Sequence, residues 1–249
     1  MSGRRTVLVT GCDGGIGRAL VAGFAAEGWS VLGTDRHDHA AVEGLDRYEV
    51  ADLATGGGVA GLLEALGPID RLDALVNNAA LQVNRPLVDT DDEAWSEVFR
   101  VNLDAAFRLI RWSAPRLAAT RGAIVNIGSV HAVATSPNVA AYAVSKGALV
   151  ALTRTAALEL APTGVRCNAV LPGAVVTPML LDGLVRRSDP EGASRGLGEL
   201  AARTPLGRVA EPDEIVPTVL HLADGTRSGY LTGQSIVVDG GASLRLSTE

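Results

Sequence analysis

The sequence near the amino terminus reads Thr6-Val-Leu-Val-Thr10, followed by Gly11-Cys-Asp-Gly-Gly15-Ile-Gly17. The first five residues form a short apolar run with β-branched side chains, which predicts a strand buried on both faces of a parallel sheet. The glycines allow a tight turn and let backbone N–H groups approach a pyrophosphate, which the amino terminus of the next helix then stabilises. The spacing is G-x-x-x-G-x-G and not the commoner G-x-G-x-x-G, so a glycine-rich turn without a ligand is the alternative.

A second predicted strand, residues 30–34, leads into Asp35, which stands 18 residues after Gly17. This spacing is typical of the acidic residue that binds the 2′-hydroxyl of a dinucleotide ribose. A carboxylate at this corner repels a 2′-phosphate, and Asp13 adds negative charge nearby, so the charges favour NAD over NADP. Arg36 opposes this preference because its guanidinium could hold a phosphate. The alternative for Asp35 is an ordinary turn residue at the end of a strand.

Strand-like apolar runs alternate with helical patterns along the whole chain. Five further strands are predicted, at residues 48–51, 72–76, 123–128, 165–171 and 234–238. The alternation predicts one α/β domain over residues 1–249, with a Rossmann-type, doubly wound parallel sheet of seven strands flanked by helices. One long helix is predicted over residues 91–119. The segment 177–205 is rich in Gly, Arg and Ser, and it is expected to form a lid over a site.

The composition is that of a globular protein, with 249 residues of which 47% are hydrophobic and 20% charged. The net charge of −6 argues against a nucleic-acid or anionic-membrane partner. Cys12 and Cys167 show neither metal-ligand spacing nor a disulfide framework, so no metal site is expected and a reducing compartment is indicated. No apolar run reaches membrane-spanning length and no signal peptide is apparent, so we expect a cytoplasmic protein.

A second motif is Tyr142-Ala-Val-Ser-Lys146. It is expected to lie on a helix whose start is capped by Ser136-Pro137-Asn138. On a helix, residues four apart share a face, so the lysine ammonium would lie beside the tyrosine phenol. The ammonium favours the phenolate and would lower the pKa of Tyr142 toward the range useful for acid–base chemistry. Ser129 ends the predicted fifth strand, at the sheet edge where open α/β proteins bind ligands. The alternative for the pair is a helix surface with an aromatic residue and a charge.

The order of these motifs resembles the short-chain dehydrogenase/reductase family, in its common branch of about this length. The resemblance covers essentially the whole chain, and Ser129 precedes Tyr142 by 13 residues, the family's usual separation. The matching motifs are Thr10-Gly-x-x-x-Gly-x-Gly17, Asp52-Leu53, Asn77-Asn78-Ala79, Asn102, Ser129, Tyr142-x-x-x-Lys146, Pro172-Gly173 and Asp239-Gly-Gly. Two positions of this chain depart slightly from the family pattern. Ala80 stands where the family often has Gly, and Gly128 where a first Ser is common.

The resemblance implies a role for each catalytic residue. Tyr142 would exchange a proton with the substrate oxygen, and Lys146 would lower the pKa of Tyr142 and bind the nicotinamide ribose. Ser129 would hold the substrate oxygen, and Asn102 would anchor a water that links Lys146 to solvent. The implied cofactor-binding residues are Gly11, Asp13, Gly15, Ile16, Gly17, Asp35, Arg36, Asp52, Leu53, Asn78, Ala79, Ala80, Tyr142, Lys146, Pro172, Gly173, Val175 and Thr177. The family also implies a homotetramer with the helices of Asn102 and Tyr142 at an interface.

The substrate is less well indicated by the sequence. Gln82 and His131 are expected to face the substrate together with Ser129 and Tyr142. Their positions resemble those of the carboxylate-binding Gln and His in the 3-hydroxybutyrate dehydrogenases of the family. Those enzymes carry a Lys three residues before the catalytic Tyr, where this chain has Val139. A polyol, a sugar and a hydroxy acid are therefore all open, and His131 could instead hydrogen-bond within its own loop.

The resulting prediction is an oxidoreductase that moves a hydride between a nicotinamide cofactor, NAD rather than NADP, and a small secondary alcohol or ketone. One alternative is a non-redox relative, an epimerase or dehydratase that uses the same nucleotide fold. A second alternative is a cofactor-binding regulator without turnover, which the fold alone does not exclude.

Overall fold

A computed structural model describes residues 3–38, 42–187 and 190–244, and of residues 186, 187 and 190–193 the backbone alone. The strands are β1 (Thr6–Thr10), β2 (Ser30–Asp35), β3 (Arg47–Val50), β4 (Ala74–Asn77), β5 (Ala123–Ile127), β6 (Arg166–Pro172) and β7 (Ser235–Val238). They form one sheet in the order β3-β2-β1-β4-β5-β6-β7, and all neighbouring pairs are parallel. The predicted seven-stranded, doubly wound sheet is confirmed.

Nine α-helices flank this sheet in the described part of the chain. They are α1 (Gly15–Ala26), α2 (Gly56–Ala65), α3 (Asp92–Phe99), α4 (Ala105–Thr120), α5 (Ala140–Leu160), α6 (Pro178–Arg187), α7 (Pro190–Arg203), α8 (Val216–Ala223) and α9 (Gly225–Ser228). None of these described helices has the length and apolar character that crossing a membrane requires.

Strand β1 is buried on both faces, as its apolar run predicts. Successive side chains of a strand point to opposite faces. Val7 and Val9 therefore pack with α1 and α8, whereas Leu8 packs with α2, α4 and α5. All three side chains are fully buried. The two helical layers thus hold β1 at the centre of the molecule.

The strand order reverses between β1 and β4. In open α/β sheets, ligands bind in the crevice outside the carboxyl ends of the strands at such a reversal. Thr10 ends β1 and Asn77 ends β4, so these two residues stand at the head of the crevice. The segments that follow them, from Gly11 and from Asn78, are the predicted cofactor motifs.

The helical stretch predicted over residues 91–119 is confirmed, and it contains one irregular turn. Asp91 caps α3 as expected, but the chain changes to a π-turn at Arg100–Asp104 before α4 begins. Asn102 lies in this turn, where its side chain accepts from the N–H of Leu81 at 2.7 Å and donates to its carbonyl at 3.0 Å. Single π-turns inside helices are frequent at functional sites. Here the turn places a polar side chain against the segment that follows β4.

The predicted side-chain cap of α5 is wrong. The helix begins after Val139, and no side chain caps it. Asn138 has a left-handed backbone with φ of 68°, and its carbonyl accepts from the N–H of Arg85 at 2.9 Å. Arg85 also forms an isolated parallel bridge with Val139. A neighbouring segment, and not a local cap, therefore fixes the start of α5.

The segment predicted as a lid, residues 177–205, consists mainly of α6 and α7. Residues 188 and 189, between these helices, lie outside the described residues. Gly196 of α7 faces Leu184 of α6 so closely that a Cβ on Gly196 would lie 2.8 Å from the leucine side chain. The segment is thus built of two packed helices, and its role as a lid stays a prediction.

Candidate active site

The glycine turn after β1 is packed too closely for any other residue at two positions. Gly11 has φ of +63°, and a Cβ there would lie 2.7 Å from the Cα of Ala79. A Cβ on Gly17 would lie 1.9 Å from the carbonyl oxygen of Gly11. The turn is therefore pressed between the start of α1 and the segment after β4.

Two side chains tie the ends of β1 and β4 together. The Thr10 hydroxyl accepts from the backbone N–H groups of Asn78 and Ala79, each at 3.0 Å. The Asn78 amide donates to the carbonyls of Thr10 and Gly11, each at 2.9 Å. Both donors of the Asn78 side chain are thus committed to the turn. Asn78 and Ala79 follow β4, as predicted, and the Asn78 side chain holds the glycine turn in place.

The amino terminus of α1 is open toward the glycine turn. Its N-cap is Gly14, which has no side chain to accept from the first N–H groups of the helix. A Cβ on Gly15 would lie 2.7 Å from the Thr177 side chain, so these two predicted residues are adjacent. Unpaired N–H groups at a helix start suit an anion, and glycine backbone allows its close approach. The turn therefore fits the pyrophosphate of a dinucleotide.

Asp35 stands at the corner between β2 and the glycine turn. Its carboxylate accepts from the N–H of Asp13 at 3.1 Å and from the N–H of Arg36 at 2.7 Å. The Asp13 carboxylate forms an ion pair with Arg18. The Arg36 guanidinium contacts the ring of His37. Arg18 therefore offsets the negative charge that Asp13 adds at this corner, and among the described residues the Asp35 carboxylate accepts only from backbone N–H groups there.

Asp52 and Leu53 follow the carboxyl end of β3. Asp52 is exposed, and its carboxylate accepts from the N–H of Ala54 at 2.9 Å. Leu53 is buried and lines a small internal cavity together with Thr10 and Asn102. Leu53 therefore contributes to the interior of the protein, and Asp52 to its surface.

Pro172, Gly173 and Val175 follow the carboxyl end of β6. A Cβ on Gly173 would lie 2.7 Å from the Cβ of Asp239, so glycine allows β6 and the end of β7 to approach. Val175 is buried and forms a bridge with Ala210. These residues bring the chain to Thr177, beside Gly15.

Ser129, Tyr142 and Lys146 meet at the carboxyl end of β5. Ser129 is buried and is the second residue after β5, and its hydroxyl accepts from the N–H of His131 at 3.2 Å. The Tyr142 phenol has a hydrogen bond with Ser129. The Lys146 ammonium lies 5.6 Å from the centroid of the Tyr142 ring. A serine hydroxyl, a phenol and an amine thus converge, as the sequence predicts.

Lys146 is the single lysine of the sequence, and it is almost wholly buried. Its Nζ donates to the carbonyl of Ile127 at 2.7 Å. Burial lowers the pKa of Lys146 to about 7, because the charged form loses its hydration. The ammonium and the neutral amine are therefore both populated at neutral pH.

We expect this titration to be visible directly by NMR. In protein labelled with ¹³C,¹⁵N-lysine, the one Cε–Hε signal should move with a midpoint near pH 7, charged below it and neutral above it. The Lys146→Met variant, which removes the signal, confirms its assignment. A midpoint close to the ordinary lysine value would contradict the effect of burial.

The pKa of Tyr142 is raised above its ordinary value, mainly by burial, and the hydrogen bond with Ser129 opposes the rise. The expectation that Lys146 lowers this pKa does not hold in this arrangement. The reason is geometric, since the amine is directed to the Ile127 carbonyl and its own charge is disfavoured by burial. At neutral pH the phenol is therefore protonated.

Asn102 joins three elements of the site. Besides its two bonds to Leu81, its amide donates to the Ser145 hydroxyl at 2.9 Å. Ser145 in turn donates to the backbone carbonyl of Tyr142 at 2.7 Å. Both donors of Asn102 are thus committed to protein atoms, which leaves one lone pair of Oδ1 for a water. The side chain ties the segment after β4 to the helix that carries Tyr142.

His131 and Gln82 lie beside this centre. The His131 ring contacts the Tyr142 ring edge-on, with centroids 5.8 Å apart, and its Nδ1 lies 3.1 Å from the Thr135 hydroxyl. Gln82 follows Leu81, and its amide donates to the Asn84 side chain at 2.8 Å. Both residues are half-buried.

No role was predicted for Thr10, Ser145 or Asn84. Ser145 has a local signal, because it stands between Tyr142 and Lys146, three residues after the tyrosine. The role of Thr10 depends on the pairing of β1 with β4, which one strand alone does not reveal. In the described part of the chain, no group of three or more His, Cys, Asp or Glu residues could hold a metal ion.

The two departures from the family pattern leave this geometry intact. A Cβ on Gly128 would lie 2.3 Å from the Leu171 side chain, so a larger residue at position 128 would displace that leucine. Ala80 is half-buried and follows Ala79.

Comparison with known proteins assigns the family. The model of the family described as Enoyl-(Acyl carrier protein) reductase matches residues 11–243. The cyclopentanol dehydrogenase of Comamonas sp. (strain NCIMB 9872) is 36% identical, over 95% of this chain and 96% of that protein. The aldohexose dehydrogenase of Thermoplasma acidophilum, solved without ligand, has a TM-score of 0.91 and is 31% identical, over 98% of this chain and 96% of that one.

A further structure bears on the cofactor. A Beutenbergia cavernae protein, assigned as an NAD(P)-dependent gluconate 5-dehydrogenase and solved with NADP at low occupancy, has a TM-score of 0.87. It is 40% identical, over 97% of both chains. These matches span the glycine turn and the Ser129–Tyr142–Lys146 centre. The chain belongs to the short-chain dehydrogenase/reductase family of NAD(P)-dependent oxidoreductases.

Proposed function

We propose that this protein is an NAD-dependent dehydrogenase that interconverts a small secondary alcohol and its ketone. The observation that carries the proposal is the convergence of Ser129, Tyr142 and Lys146 at the sheet edge that also bears the glycine turn. The nicotinamide, when bound, accepts or supplies the hydride. The relatives named above act on alcohols, sugars and sugar acids by their names, which supports this substrate class.

The residues of the chain handle the proton and the oxygen. In ketone reduction, Tyr142 gives its phenol proton to the carbonyl oxygen, and it recovers that proton when the alcohol is oxidised. The raised pKa of Tyr142 suits the first direction at neutral pH, because the phenol is then protonated. The Ser129 hydroxyl holds the same oxygen and stabilises the charge that develops on it. Lys146 is proposed to bind the nicotinamide ribose, as the resemblance to the family implies.

We place the dinucleotide along the glycine turn. Gly11, Gly15, Ile16 and Gly17 would lie under the pyrophosphate, with Thr177 beside it. The other residues proposed to line the cofactor are Asp13, Asp35, Arg36, Asp52, Leu53, Asn78, Ala79, Ala80, Pro172, Gly173 and Val175. Asn102 is proposed to position the helix of Tyr142 through Ser145.

The preference for NAD rests on Asp35. Replacing Asp35 by Ala removes a carboxylate that would bind the 2′-hydroxyl and repel a 2′-phosphate, while Arg36 stays available to a phosphate. We expect kcat/KM with NAD to fall about tenfold and kcat/KM with NADP to rise. Initial rates with each cofactor measure this change.

Asp38→Ala is the matched control for Asp35→Ala, since it removes the same charge three residues further along the chain. Its ratio of NAD to NADP activity should equal that of the wild type. A wild type that works better with NADP, or an unchanged ratio in Asp35→Ala, would refute the preference.

A homotetramer is proposed as the assembly. Phe107 on α4 and Val144 and Leu158 on α5 are large apolar side chains, and each is about half exposed or more. Exposed apolar side chains on neighbouring helices suit an interface. Light scattering during size-exclusion chromatography tests the assembly. A single domain, a lid formed by α6 and α7, and a cytoplasmic location complete the proposal.

The deciding experiment is a spectrophotometric screen of secondary alcohols and ketones, with NAD and NADP tested separately. Turnover that depends on a nicotinamide cofactor supports the proposal. Tight NADH binding without turnover of any substrate would favour a regulator, and a product at the same oxidation level would favour an epimerase or dehydratase.

A further inference from the structure

The segment from Leu81 to Arg85 runs along the start of α5 and is fixed at both ends. At one end Asn102 holds both backbone groups of Leu81, and through Ser145 it is tied to the backbone of Tyr142. At the other end the N–H of Arg85 donates to the Asn138 carbonyl, next to the first turn of α5. The residues between these two anchors are therefore held beside the turn that carries the phenol.

Two of these residues, Gln82 and Asn84, form a pair of amides. The Gln82 Nε2 donates to the Asn84 Oδ1 at 2.8 Å, and both side chains are half-buried. Within the described part of the chain, this is the one hydrogen bond that either side chain makes. The Asn84 Nδ2 can therefore donate to a ligand, and the Gln82 Oε1 can accept from one.

Helix α6 packs against this pair. A Cβ on Gly183 of α6 would lie 3.3 Å from the Asn84 Nδ2, so the glycine lets the helix approach the amide. The next residue of the segment, Arg85, forms an exposed ion pair with Asp91 at 2.5 Å. Val139, one turn before Tyr142, is apolar and buried. The pair is thus a neutral polar patch between the first turn of α5 and α6.

A donor and an acceptor side by side match a hydroxyl group, which can accept from one and donate to the other. A carboxylate has no proton to donate, so it would leave the Gln82 Oε1 facing another acceptor. We propose that Asn84 and Gln82 bind a second hydroxyl of the substrate, which makes the enzyme selective for neutral diols and polyols over simple alcohols. This inference rests on the proposed function and names its substrate class.

The test compares substrates that differ in one hydroxyl, such as cyclohexanol with cis- and trans-1,2-cyclohexanediol, and 2-butanol with 2,3-butanediol. The wild type should show a higher kcat/KM for at least one diol than for its matched alcohol. Asn84→Ala should lower kcat/KM for that diol by about 10- to 100-fold and leave the simple alcohol nearly unchanged. Titration of the diol into the NADH-bound enzyme, where no hydride transfer can follow, should show the same loss of affinity.

Gln82→Ala provides a second variant and should act in the same direction. Val83→Ala, between the two amides, is the matched control, and any effect of it should be equal for both substrates. Equal losses for diol and simple alcohol in Asn84→Ala, or a wild type without preference for a diol, would overturn the inference while the proposed function stands. Absence of turnover with every alcohol and ketone, with either cofactor, would overturn the proposed function and this inference with it.

Discussion

Replacing Tyr142 by Phe should lower kcat by about 10²- to 10⁴-fold, the usual contribution of a positioned acid–base group. The change removes one hydroxyl and keeps the ring, which packs against His131 with centroids 5.8 Å apart. The bond from Ser145 goes to the backbone of Tyr142 and survives the substitution. NADH binding, measured by fluorescence titration, should therefore stay close to that of the wild type.

Tyr230→Phe is the matched control, because it removes the same hydroxyl from a fully exposed side chain. It should keep the wild-type kcat. A Tyr142→Phe variant with near-normal turnover would show that another group moves the proton. Parallel loss of NADH binding and turnover would instead give Tyr142 a structural role.

The sequence was sufficient to predict the features that depend on local chemistry. A β-branched run predicts β1, and the glycines that follow it predict a turn at Gly11 and Gly17. The structure adds the reason that glycine is required at both positions, since a Cβ would meet backbone atoms of other segments. The alternation of strands and helices then led to the correct sheet, because parallel strands need helical crossovers.

Features that depend on contacts between distant segments were not predictable in this way. The π-turn at Asn102 coincides with its bonds to Leu81, 21 residues away. The start of α5 is held by Arg85, so the local cap that Ser136 would supply is not used. In both places the helical pattern of the sequence is real, and a tertiary contact changes its local form.

The predictions about charge also depended on contacts between distant segments. The four-residue spacing correctly brings Lys146 near Tyr142, but it does not reveal that the amine reaches the Ile127 carbonyl. Burial, which spacing alone does not show, then sets the direction of both pKa changes. The ion pair that offsets the charge of Asp13 likewise forms only when α1 places Arg18 beside it.

Replacing Gly17 by Ala should destabilise the glycine turn more than the same replacement at any other glycine of this site. The new Cβ would lie 1.9 Å from the Gly11 carbonyl oxygen and 2.8 Å from the Cα of Cys12. Both are backbone atoms, so no side-chain rotation relieves the clash and α1 has to move away from the turn. We expect a loss of about 3 kcal/mol in the free energy of unfolding, and a Kd for NADH raised by at least about tenfold.

Gly61→Ala in α2 is the control for the Gly17 variant, because it adds the same methyl group to a helix where no atom lies within 4 Å of the new Cβ. Alanine is the better helix former, so this variant should gain about 0.5–1 kcal/mol and bind NADH like the wild type. Thermal unfolding and NADH titration of both variants separate a steric effect at the turn from a general effect of removing glycine. Unchanged stability and NADH affinity in Gly17→Ala would mean that the turn can open without loss, and that its close packing does not shape the cofactor site.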